Sequence, residues 1–159
     1  ISPDESPAAQ QIGRIIINPE NKNEVVISGT SSRWSRESVK SGIYKSLDGG
    51  TSWSESLLLT NGDIVDMVLS DPTNWNIQYD AVNGMVVYKS VNGGKNWLNK
   101  SKGLPINPGR IELGISAVNS KIIWASEENG RLYVSKDGAD NWAFVGELNS
   151  SQNFDFLIL

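Results

Sequence analysis

One phrase occurs three times in this chain at nearly equal intervals. Tyr44-Lys-Ser-Leu-Asp-Gly-Gly-Thr-Ser-Trp53 returns as Tyr88-Lys-Ser-Val-Asn-Gly-Gly-Lys-Asn-Trp97 and again as Tyr133-Val-Ser-Lys-Asp-Gly-Ala-Asp-Asn-Trp142. Its serines, Ser46, Ser90 and Ser135, step by 44 and 45 positions. A repeat this regular restricts the chain to like units stacked on one another, each too small to bury its apolar face alone.

The rest of each unit keeps the same order. Ahead of each serine stand two short apolar runs joined by a turn: 12–18 and 24–29, then 64–70 and 77–82, then 111–116 and 121–126. These runs are rich in Val and Ile and bounded by Asn, Pro, Ser and Asp, which predicts strands. Pro19 and Pro72 recur at the same turn, where a missing N–H costs least. No window holds apolar residues at i, i+3, i+4 over helical length. With one strand entering the serine and one leaving the tryptophan, each unit has four strands, the build of a propeller blade. The expected fold is therefore all-β: a β-propeller fragment of about three four-stranded antiparallel blades plus the first strand of a fourth. The blades are expected near 12–58, 63–100 and 110–148, and the extra strand near 153–159. Propellers close with roughly 4–8 blades. The chain is thus expected to be an open arc, a processed piece completed by blades from the same polypeptide, a cleaved companion or a second copy.

The repeated phrase reads as a turn lock. Ser46, Asp48, Gly50 and Trp53 form the first, Ser90, Asn92, Gly94 and Trp97 the second, and Ser135, Asp137 and Trp142 the third. Glycine supplies positive φ, the Asp or Asn side chain bonds nearby backbone, and the tryptophan folds back over its turn. None of this requires chemistry. A Ca²⁺ site would need more oxygen ligands than the phrase supplies, so no metal and no cofactor is predicted.

Composition narrows the function classes. The 159 residues hold 14 Lys+Arg against 18 Asp+Glu, a net charge of −4, with neither His nor Cys. Cys/His zinc sites, thiol catalysis, Ser-His-Asp triads and imidazole acid–base steps are excluded. The mildly acidic balance and the lack of a basic run argue against nucleic acid as a partner. No apolar stretch reaches the ~18 residues of a membrane span, so no membrane insertion is expected.

Ser-x-Asp-x-Gly-x-x-Trp is the Asp-box, or bacterial neuraminidase repeat, and the chain resembles an Asp-box β-propeller over nearly its whole length. Ser46–Trp53 matches in full, whereas Asn92 and Ala139 replace the Asp and the Gly of the other two copies. The resemblance implies architecture rather than one activity, because sialidases, xyloglucan-cleaving hydrolases, sortilin-like peptide receptors and photosystem assembly factors all carry the motif. Sialidases resemble one another in an Arg-Ile-Pro segment. Here Arg14-Ile15 is followed by Ile16 and Arg110-Ile111 by Glu112. Xyloglucanases place a catalytic Asp in the opening blade, after a segment like Ile17-Asn18-Pro19. No Asp occurs between Glu24 and Asp48. No residue is therefore assigned a catalytic role.

The turns of the repeated phrase and the Pro19 and Pro72 turns are expected at one end of the blades, and the loops between second and third strands at the other. Pro19 to Ser46 is 27 positions but Pro72 to Ser90 only 18, so the first blade carries a nine-residue insertion over 31–41. Its Arg33, Trp34 and Arg36 are the best candidate contacts, since Arg and Trp are strong interface anchors and Trp stacks on sugars. Asp80 and Glu127, near the ends of second strands, join them at that rim, although the Glu127-Glu128 pair reads foremost as solvated charge. Trp124, on a second strand, is expected in the core. The predicted function is a non-catalytic recognition or scaffold module of a secreted or cell-surface protein, binding a peptide, protein or glycan. The alternative is a fragment of a glycoside hydrolase, xyloglucanase- or sialidase-like, whose catalytic carboxylates lie partly outside the chain.

Overall fold

The computed structural model describes residues 11–30, 41–59, 65–82, 86–106 and 109–148. Twelve strands are placed there, in three four-stranded sheets. The first sheet is β1 (Gln11–Ile17), β2 (Val25–Thr30), β3 (Ser41–Ser46) and β4 (Ser54–Leu59). The second is β5 (Val65–Asp71), β6 (Asn74–Val82), β7 (Val86–Ser90) and β8 (Leu98–Asn99). The third is β9 (Ile111–Ile115), β10 (Ile123–Glu127), β11 (Arg131–Ser135) and β12 (Ala143–Glu147). Strands follow chain order within each sheet and every neighbouring pair is antiparallel. The described residues form three blades of a β-propeller. The extra strand expected near 153–159 lies outside the described residues.

Repetition of register is what makes the blades alike. Ser46, Ser90 and Ser135 end their third strands opposite Val25, Gln78 and Ile123. Third and fourth strands slip register at Ile43/Tyr44 in the first blade and at Leu132/Tyr133 in the third. Such bulges raise the local twist that a blade needs. β6 starts at Asn74, three residues before the apolar run that marks it in the sequence, and so takes Trp75 into the strand.

The blades pack face to face, and period 2 decides what each face holds. Between the first and second blades lie Val26, Ile43 and Leu59 against Val68 and Val82, with Trp75 and Trp97 at the margin. Between the second and third lie Tyr79, Ala81 and Val87 against Ile111, Leu113, Ile123, Ala125 and Trp142. The first strands pack in succession, β1 against β5 and β5 against β9. Trp124 departs from expectation. It pairs with Val134 on the face of the third blade turned away from the second, and is 39% exposed rather than part of the core.

The two apolar layers share only the second blade, so they should fail independently. Ile43→Ala and Ile123→Ala, both at fully buried sites, are each expected to cost about 2–5 kcal/mol. The double variant should be additive within about 0.5 kcal/mol in urea titrations.

Candidate functional site

The turns of the repeated phrase are built alike from their side chains. In the first, the Ser46 hydroxyl donates to Asp48 (2.8 Å) and accepts from the Gly50 amide (2.8 Å). Asp48 also accepts from the Ser52 amide (2.8 Å) and hydroxyl (2.6 Å). In the second, Ser90 donates to Asn92 (3.0 Å) and accepts from Gly94 (2.9 Å). The third repeats this through Ser135, Asp137, Ala139 and Asn141. Gly50 and Gly94 sit at φ 93° and 80°, and Ala139 takes the same left-handed region at φ 72°. Its methyl is fully buried in the layer between the second and third blades, which offsets the backbone strain.

Each turn is tied to the other turn at its end of the blade. The amides of Gly49, Gly93 and Gly138 donate to the carbonyls of Asn23, Asn76 and Lys121, all at 2.9 Å. The turns after first and third strands therefore share one end, as their spacing implies.

From that end, polar groups cross between blades. Lys45 Nζ donates to the Gly93 carbonyl at 2.6 Å and pairs with Glu24. Burial alone raises the Glu24 carboxyl, but hydrogen bonds led by Lys45 outweigh it and hold the group below its ordinary range. One blade further on, Lys89 Nζ donates to the Gly138 carbonyl at 2.7 Å, with the Tyr79 ring 5.6 Å away. Burial pushes the Tyr79 phenol up to about 12, with Asp71 and Asp140 adding to the shift.

The tryptophans cross in the opposite direction. Trp97 Nε1 donates to Ser56 Oγ of the first blade (2.9 Å), and that hydroxyl donates to the Gly94 carbonyl. Trp142 Nε1 donates to the Lys100 carbonyl beside the second blade (2.7 Å). Trp53 bonds the Gly50 carbonyl of its own turn (3.0 Å). The rings of Trp97 and Trp142 also lie against their own turns, beside Gly94 and Ala139. Their N–H groups, however, reach neighbours some 40 residues earlier, partners that no local pattern announces.

At the opposite end the candidate residues separate. Arg33, Trp34 and Arg36 lie outside the described residues. Asp80 is fully buried in β6, opposite Val68 and Tyr88, on the face turned to the first blade. Glu127 closes β10 opposite Ile111 and is only 4% exposed, with Oε2 unpartnered. The reading of Glu127 as solvated charge is therefore corrected: strand parity sets it on the same face as Ile123 and Ala125, the one turned to the second blade. Glu128 itself is exposed. Asp80 and Glu127 occupy different register positions on different blades. Among the described residues, no group of three or more carboxylates converges as a metal ion needs. A cleft of about 430 Å³ also opens on the turn end between the first two blades, beside Glu24, Lys45, Glu55 and Lys95.

No protein-family model matches the chain, and no curated protein matches it in sequence. Its fold is similar to that of solved β-propellers. A GH74 enzyme of Niastella koreensis superposes with a TM-score of 0.68 at 19% identity, over 87% of this chain and 23% of the other. The GH74 xyloglucanase of Xanthomonas campestris gives 0.66 at 15% identity, over 92% and 24%. YCF48 bound to a D1 peptide gives 0.60 at 16% identity, over 88% and 42%. At these identities the likeness establishes the fold alone, and the chain spans between 23% and 42% of the length of these neighbours.

Two outcomes follow for the turns. Trp142 is 6% exposed and Trp53 only half-buried. Trp142→Ala should therefore cost about 3–5 kcal/mol and Trp53→Ala clearly less, as read from denaturant midpoints. Asp48 and Asp137 are held down to about 2 from an ordinary 3.8, Asp48 foremost by the Ser52 hydroxyl and Asp137 by the Asn141 side chain. A carboxyl lowered on folding stabilises above its unfolded value and loses that contribution as pH falls through its folded value. Stability should thus decline from about pH 4 to about pH 2. Asp48→Asn should flatten that decline, as Asn92 already does in the second turn.

Proposed function

We propose that the chain is an arc of an Asp-box β-propeller that works as a rigid, non-catalytic recognition scaffold of a secreted or cell-surface protein. On this reading the blades hold their shape through the turn end, and the opposite end binds a peptide, a protein or a glycan. The observation that carries it is the use of the polar side chains at the turns. Ser46, Asp48, Ser90, Asn92, Ser135 and Asp137 are committed to their own turns, and Lys45 and Lys89 to the next blade. Groups held this way stiffen a support and are not free for acid–base work. A neighbour of the same fold is a peptide-bound protein, YCF48 with D1, which supports recognition by such an arc.

The second reading, a fragment of a xyloglucanase- or sialidase-like hydrolase, is favoured by the GH74 neighbours and by the buried carboxylates Asp80 and Glu127. A peptide array and a panel of xyloglucan oligosaccharides separate the two. Recognition predicts binding to a member of one set without its cleavage. It also predicts that Trp34→Ala or Arg33→Ala weakens that binding at least about tenfold with an unchanged melting curve, as for an anchor residue. Hydrolysis of xyloglucan that disappears in Asp80→Asn or Glu127→Gln would establish the second reading instead.

A further inference from the structure

The first blade has a face that the other two blades keep covered. Ile15, Val68 and Leu113 are equivalent, standing opposite Ile27, Asp80 and Ala125 on their second strands. Val68 and Leu113 are 0% and 5% exposed because the preceding blade lies on them, whereas Ile15 is 55% exposed. Ile12 and Ile17 share its face and are 54% and 56% exposed. Ile27 and Tyr44, in the middle of that face, are already covered. The open part is therefore an apolar strip along β1.

Two polar features lie on the same blade. The carbonyls of Gly93 and Gly138 each accept a lysine ammonium from the preceding blade. Gly49 holds the equivalent turn position, and among the described residues no donor reaches its carbonyl. Trp97 and Trp142 each give their indole N–H to the preceding blade, while Trp53 turns its own onto Gly50. The strip, the carbonyl and the indole are three parts of one interface seen complete twice in this molecule.

We infer that this face binds a further blade of a defined kind, one with a lysine immediately before its turn serine and an acceptor along its fourth strand. That lysine donates to the Gly49 carbonyl, the acceptor takes the Trp53 N–H, and apolar side chains cover Ile12, Ile15 and Ile17. The same code tells this occupant from a second copy of the chain. Joining copies head to tail would set the third blade against the first, and there Val134 stands where the first two blades carry Lys45 and Lys89. The third blade has no ammonium to give, and the Gly49 carbonyl would be buried without a donor. The second blade does present a matching face, since Lys89 and the Lys100 carbonyl already serve the third. This inference rests on the blade interfaces and not on the proposed recognition role.

Tandem fusions of the full 159-residue chain test it, each carrying an added blade ahead of residue 1. One adds a second copy of residues 65–106, one the same copy with Lys89→Val, and one a copy of residues 109–148 with Val134→Lys. The readout is solvent exchange of the Trp53 indole N–H by NMR, assigned with Trp53→Phe, in samples whose circular dichroism matches the added strand content. The Trp53 N–H already bonds Gly50 in a half-buried position. The two lysine-bearing fusions should therefore slow its exchange at least about tenfold relative to the chain alone by burying that N–H under the docked blade, where exchange needs the interface to open. The Lys89→Val fusion should recover most of the original rate. Equal slowing with and without the lysine, or a Trp53 signal unmoved in every fusion, overturns the inference. Neither outcome bears on ligand binding at the opposite end, so the recognition reading would stand or fall separately.

Discussion

The bond from a lysine ammonium to a glycine carbonyl one blade further on is the contact the rest of the structure is arranged around. Lys45 reaches Gly93 and Lys89 reaches Gly138, each across 48 or 49 residues of chain. An ammonium taken out of water must be fully met by acceptors, or it costs more than its attraction returns. Glu24 supplies the second acceptor for Lys45, and the Tyr79 ring lies near Lys89. The carbonyl has to be aimed, and that is what the turn achieves. Ser90 with Asn92, and Ser135 with Asp137, fix the two loops so that the glycine C=O points at the preceding blade.

Energy and register come from different parts of each interface. The apolar layers around Val26, Ile43 and Val68, and around Ile111, Ile123 and Trp142, supply most of the stabilisation through area removed from water. Apolar burial is non-directional, and a blade could slide over such a layer at little loss. The lysine and tryptophan bonds forbid the slide, because a shift of one residue would leave a buried carbonyl and a buried indole N–H unmet. The two bonds also run in opposite directions: ammonium forward onto the next turn, indole backward onto the preceding blade's fourth strand or the residue just after it. Together they hold both halves of the interface.

Much of this fold is legible in the sequence because its signals are local. Strand alternation, the Pro19 and Pro72 turns and the positive φ at Gly50 and Gly94 each follow from a few adjacent residues. What escapes the sequence is partnership across blades. Trp97 reads as a ring folding over its own turn, and nothing nearby names Ser56 as the acceptor of its N–H. Lys45 and Lys89 read as ordinary strand lysines, yet the comparison with Val134 in the third copy was a visible clue that the position has a task. Glu127 reads as surface charge because Glu128 follows it, but strand parity turns one carboxylate onto the covered face and leaves the other outside. Trp124 reads as core because it is large and apolar, although the face it stands on is the one the second blade does not cover. Of the candidate binding residues, Asp80 and Glu127 are placed by their strands, while Arg33, Trp34 and Arg36 lie outside the described residues.

The division of the blade into two ends explains how one architecture can carry unrelated activities. The turn end commits the Ser and Asp or Asn side chains of each turn, with Lys45 and Lys89, to holding the fold, so a substitution at those positions alters shape before it can alter chemistry. The opposite end is joined by loops whose lengths differ between copies, with a nine-residue excess in the first blade, and loops vary at small cost to the fold. A GH74 xyloglucanase and a peptide-bound YCF48 share this arc at 15% and 16% identity to it. What such proteins share with this chain is the fold, and a fold specifies no ligand. Side chains tied into the lock have little freedom to meet a ligand, and on the proposed recognition reading that leaves specificity to the loops of the opposite end, the nine-residue excess of the first blade foremost among them.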